Sequence, residues 1–97
     1  MTRSDILNLL KSHDHEMAAR FSVKRLAIFG SASRDALSGT SDVDVLVEFS
    51  GPATFDNYFG LKHYLEQLLG REVDLATPEM IRPSLQERID ADLTYVA

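Results

Sequence analysis

Ninety-seven residues without a single cysteine exclude a disulfide framework and any thiolate zinc site. A formal charge of −5 argues against a non-specific nucleic-acid binder, so no direct nucleic-acid contact is expected. No signal peptide and no run of about 18 apolar residues is evident, and 44% hydrophobic residues suffice for a modest core. The expectation is one soluble, cytoplasmic domain spanning residues 1–97, away from membranes, with no repeat or linker.

In chain order, Thr2-x-x-Asp5 has the form of a capping box, and Ile6, Leu9, Leu10, His13 and Met17 follow at helical spacing. An amphipathic helix is expected over the first twenty residues. His13 and His15 are two apart on it and point to different faces, so His13-Asp14-His15-Glu16 reads as helix surface rather than a metal site. Lys24–Phe29 reads as a short strand, ended by Gly30-Ser31 before a helical segment from Ala32 to Leu37 and a turn at Ser38-Gly39-Thr40. From Asp42 the chain alternates, with Val43, Val45, Val47 and Phe49 on one face of a strand. Thr54 can cap a helix from Phe55 to Leu69, whose Phe55, Tyr58, Phe59, Leu61, Leu65, Leu68 and Leu69 offer a wide apolar face, and Gly70 stops it. His63 falls on its surface or at a partner contact. Tyr58, Phe59 and Tyr64 could form a nucleotide platform, although aromatics at helical spacing are usually core. Glu72–Leu75 reads as a short strand, Thr77-Pro78 as a helical turn, Pro83 to about Ala91 as a last helix, and Leu93–Val96 as a terminal strand.

The run from Gly30 to Phe49 carries the chemistry. Asp42 and Asp44 leave the strand on the face opposite the valines, roughly 6 to 7 Å apart at their Cα atoms. Two carboxylates held so close repel, and a cation neutralises them; oxygen donors favour a hard ion such as Mg²⁺. Asp-x-Asp alone is also an ordinary solvated strand start. The upstream turn strengthens the functional reading, because a strand, a glycine turn and a helix start aim unpaired N–H groups at a phosphate. Gly30 permits close backbone approach, and the Ser31 hydroxyl can donate to a triphosphate oxygen. Arg34 can reach the phosphates or pair with Asp42 or Asp35. Asp74 lies between Val73 and Leu75 and faces away from the core if they face it; Glu72 shares its face.

Gly30-Ser31, a ten-residue gap and Asp42-x-Asp44 resemble the signature of the nucleotidyltransferase superfamily related to DNA polymerase β. The chain length, Arg34 three residues after Ser31, and Ser41 directly before Asp42 resemble its minimal MNT-type branch, over nearly the whole chain. The resemblance implies an α/β (α+β) fold, a small mixed sheet flanked by helices. It implies two Mg²⁺ ions held by Asp42, Asp44 and Asp74, with Asp74 rather than Glu72 as the third carboxylate. Gly30, Ser31, Arg34 and Ser41 would bind the nucleotide, with ATP as donor. Members often accompany a HEPN-domain partner in toxin–antitoxin modules and act as antitoxins by adenylylating it, so a HEPN partner or a homo-oligomer is expected. The alternatives are a regulatory antitoxin that neutralises its partner by binding alone, and a small-molecule nucleotidyltransferase. Enzymes of the latter kind usually carry an extra helical domain for which this length leaves no room.

Overall fold

The computed structural model describes residues 1–37, 39 and 41–96. Ser38 and Thr40 of the expected turn lie outside the described residues. Four strands, β1 (Val23–Phe29), β2 (Val43–Phe49), β3 (Val73–Ala76) and β4 (Thr94–Tyr95), form one mixed sheet in the order β3-β2-β1-β4. β1 runs antiparallel to both β2 and β4, whereas β2 and β3 are parallel. The parallel pair needs a crossover. Helix α4 (Phe55–Leu69) supplies it, capped by the Thr54 hydroxyl at the Asn57 N–H and closed by Gly70 at φ 66°.

The valine face of β2 is core as its alternation implies, with Val43, Val45 and Val47 fully buried. Ile6, Leu10, Met17, Ile28, Leu61, Leu65 and Leu75 complete that layer. Each such aliphatic side chain contributes roughly 1.5–3 kcal/mol by burial. Among the described residues no helix is long and apolar enough to cross a membrane.

Several local expectations are corrected. The first helix is two, α1 (Arg3–Ser12) and α2 (Asp14–Phe21), although the Thr2–Asp5 capping box forms as read. His13 breaks it. Its N–H returns to the Leu10 carbonyl, its ring nitrogen lies 2.9 Å from the Leu9 carbonyl, and the Ser12 hydroxyl takes that carbonyl at 3.0 Å. Side chains that bond locally in this way compete with the helical ladder. The segment after β1 is a single turn, α3 (Gly30–Ser33), which starts and stops earlier than expected. Asp35 turns left-handed at φ 59°, a conformation aspartate tolerates, and ends it. A 3₁₀ turn at Pro78–Met80 and helix α5 (Pro83–Asp92) follow as read.

The apolar face of α4 is narrower than its sequence suggests. Leu61, Leu65 and Leu69 are buried, but Phe55 is 75% and Phe59 49% exposed, stacked on each other 4.6 Å apart beyond the edge of the core. Tyr58 turns inward, and its hydroxyl donates to the Leu75 carbonyl, tying α4 to β3. Gly60 sits where α2 crosses α4; a Cβ there would lie 2.9 Å from Cε1 of Phe21, a ring already tilted against Tyr64. Gly60→Ala gains about 1 kcal/mol of helix propensity, but overpacking typically costs ~1–3 kcal/mol. The variant is therefore expected to be destabilised, with a melting temperature lower by a few degrees; a higher one would show that Phe21 can yield.

Candidate active site

Asp44 stands where three strands meet. Its partner in β1 is Phe29, the last residue before α3, and its partner in β3 is Asp74. The parallel register thus brings Asp44 and Asp74 side by side across thirty residues of sequence. The two carboxyl groups lie close enough for Asp74 to act on Asp44. Asp42 lies exposed just before β2, close enough for its charge to act on Asp44. Glu72 falls before β3 and contributes its carbonyl to the Val43 N–H at 3.0 Å, a backbone role.

Gly30 is required twice over. Its φ of 65° is a conformation that glycine adopts at no steric cost. A Cβ at this position would also stand 2.3 Å from Oδ2 of Asp44, so the turn is packed directly on the carboxylate. Ser31 follows in the one turn of α3, half-buried, and its carbonyl accepts the Ala36 N–H at 2.8 Å. Ser41 is held through its carbonyl by Arg71 Nη1 at 3.2 Å, and Val73 at the head of β3 gives its N–H to Glu66 at 3.0 Å.

Burial pushes the Asp44 carboxyl up to about 6 from its ordinary 3.8, and the charges of Asp74 and Asp42 push the same way. Arg34 opposes them. Its guanidinium pairs with the Asp92 carboxylate of α5, not with Asp42 or Asp35 as the sequence suggested, yet it remains within electrostatic reach of Asp44. The donor set of hard oxygens around a half-buried acid suits a divalent cation, which would relieve this repulsion. Among the described residues, no three His, Cys, Asp or Glu side chains are drawn together as a ready-made metal cluster. Asp44 and Asp74 are register partners, and Asp42 lies exposed just before β2.

The other candidates resolve into scaffold. Tyr64 packs on Phe21 and donates to Glu16 at 2.7 Å, while Arg20 lies over both rings. Phe55 and Phe59 lie with Met80 near the far end of β3, beyond Thr77, so the aromatics build no platform at the carboxylates. Sequence reasoning missed the residues that hold α3. Arg3 donates its N–H to Asp35 at 2.8 Å and Nη1 to the Ser33 carbonyl at 3.2 Å. The buried Ser33 hydroxyl donates to the Asp92 carbonyl and lies 2.7 Å from the Thr94 hydroxyl. A small residue inside the motif was the one available signal.

A carboxyl raised by the fold favours folding fully only below the unfolded value of 3.8, and that contribution is lost as pH rises through about 6. Replacing Asp44 with Asn removes the charge. In chelator at about pH 8 the variant should be more stable than the parent by ~1–2 kcal/mol, with the gap closing toward about pH 4. Denaturation at several pH values checks this, and a gap independent of pH would contradict it.

With this geometry in place, the nucleotidyltransferase domain family matches residues 10–96. A proposed protein adenylyltransferase of Methanocaldococcus jannaschii is 38% identical over 96 residues, 98% of each chain. The protein adenylyltransferase MntA of Thermococcus cleftensis is 32% identical over 96 residues, 99% of this chain and 97% of that one. The solved structure of a proposed minimal nucleotidyltransferase superposes with a TM-score of 0.80 at 30% identity, over 97% of this chain and 95% of that one. A structure of a tri-AMPylated Shewanella oneidensis HEPN toxin in complex with an MNT antitoxin contains a chain with a TM-score of 0.65 at 16% identity. That alignment covers 94% of this chain and 71% of the other, and the likeness is one of fold. The chain therefore belongs to the nucleotidyltransferase domain family, in the minimal MNT-type branch of the DNA polymerase β-like superfamily, and is an enzyme of that class.

Proposed function

We propose that this enzyme transfers AMP from ATP to a hydroxyl on a HEPN-domain partner, a tyrosine side chain, and thereby acts as an antitoxin in the cytoplasm. The observation that carries the reading is the convergence of Gly30, Asp44 and Asp74 at the junction of β1, β2 and β3. The protein adenylyltransferase relatives support AMP as the group moved, and the AMPylated HEPN toxin beside a chain of this fold supports the partner.

In this reading residues 1–97 act as one catalytic domain. Gly30 and Ser31 anchor the β- and γ-phosphates, with Ser41 and Arg34 flanking them. Asp42, Asp44 and Asp74 would hold two Mg²⁺ ions, which when bound stabilise charge on the attacking and leaving oxygens. The acceptor oxygen attacks the α-phosphorus in line, its proton passes to Asp74, and the bond to the bridging oxygen breaks to release pyrophosphate. Asp44 fixes this geometry because it cannot turn away. Val43 and Val45 on either side are fully buried, and Gly30 lies against its carboxylate.

A second reading, neutralisation by binding alone, draws on the exposed Phe55, Phe59, Met80 and Leu85. Co-expression with the partner separates the two. Intact-mass analysis should show a gain of one or more adenylates with the parent chain. Asp44→Asn should lower transfer from α-labelled ATP by ~10²-fold or more while the protein stays folded. Unchanged transfer would sink the assignment, and neutralisation that survives loss of transfer would favour the binding reading.

A further inference from the structure

The C-terminal end of α5 grips the nucleotide turn at two adjacent residues. The main-chain carbonyl of Asp92 accepts the Ser33 hydroxyl, and the Asp92 carboxylate pairs with the Arg34 guanidinium. Ser33 is 6% exposed and also meets Thr94 of β4, so this anchor lies inside the fold. The Arg34 side chain, by contrast, is 56% exposed, with its charge felt at Asp44. A guanidinium offers five donors in a rigid fork, so one edge can stay on Asp92 while another meets an incoming oxyanion. A pair open to solvent on its Arg34 side adds little to stability. Its consequence is orientation of a long side chain that would otherwise lose several rotors on binding.

We propose that Asp92 is a positioning residue for the triphosphate of the nucleotide, acting through Arg34. The inference rests on the reading of Gly30 to Arg34 as the phosphate turn. Two effects oppose each other when the Asp92 charge is removed. The site becomes more positive, which favours a triphosphate, but that gain is screened where the pair opens to solvent at Arg34, 56% exposed against 25% for Asp92. Freeing the Arg34 fork works against binding, and it outweighs the screened charge because the rotor cost falls on the bond that contacts the ligand.

The test measures ATP binding in the presence of Mg²⁺, together with KM and kcat for transfer. Asp92→Asn keeps the carbonyl that holds Ser33, so α3 remains anchored. It should raise the Kd and KM for ATP by about 3–10-fold, leave kcat within about twofold, and be largely rescued by Asp92→Glu. In an Arg34→Met background Asp92→Asn should have almost no further effect, since the two residues act as one unit. If the parent binds ATP and Asp92→Asn leaves Kd unchanged, the positioning role is wrong while the functional reading stands. An equal loss in the Arg34→Met background would likewise overturn it in favour of a purely structural contact. A parent chain that binds no ATP would overturn the functional reading and this inference together.

Discussion

The crowding of acids around Asp44 is the constraint to which the rest of the structure answers. Asp44 has β1 and its glycine turn on one side and Asp74 of β3 on the other, so its position is set by two strand registers at once. Raising a carboxyl from 3.8 to about 6 corresponds to ~1–3 kcal/mol after allowance for partial exposure. That is of the order of one buried leucine. The core behind it carries the cost. Val43, Val45, Val47 and Leu75 are buried on the opposite faces of the same two strands, and slipping either strand by one residue would turn those apolar side chains outward.

The single turn of α3 is too short to stand by itself. It is held from both ends of the chain, by Arg3 before α1 has completed its first turn and by Asp92 as α5 ends. These contacts span thirty to fifty-nine positions of sequence. Residues of α1 and α5 thus brace the turn that faces the carboxylates. Arg71 does the same for Ser41, and Glu66 for the head of β3, so each edge of the site has a polar tie to a neighbouring element.

The strands and α4 were legible because their signals are local and repeated: valines two apart in β2, leucines at helical spacing between Thr54 and Gly70. Gly30, Ser31, Asp42 and Asp44 were legible as a motif; the apolar neighbours of Asp74 gave only its face, shared with Glu72, and the family resemblance singled it out. What escaped depends on distant partners. The break at His13 arises where the Ser12 and His13 side chains both engage the Leu9 carbonyl. The end of α3 depends on Asp35, which a residue thirty-two positions earlier engages. Phe55 and Phe59 share the spacing of core residues, but the sheet ends before reaching them. Arg34 had two acidic neighbours in sequence and found a third, Asp92, fifty-eight positions away.

Graded exposure explains why Asp44, and not its neighbours, carries the electrostatic load. Asp42 and Asp74 are exposed. Asp44 is half-buried and closed in by Gly30, so loss of solvent first, and repulsion from Asp74 and Asp42 second, push its carboxyl up. A carboxylate must lose its proton to hold a cation, and binding therefore releases protons. In the proposed reaction a bound cation would favour the charged form of this acid, as the nearby Arg34 does. In that reading the repulsion present in the free protein would become attraction for a cation, and the stability of the strand heads would follow the state of the site.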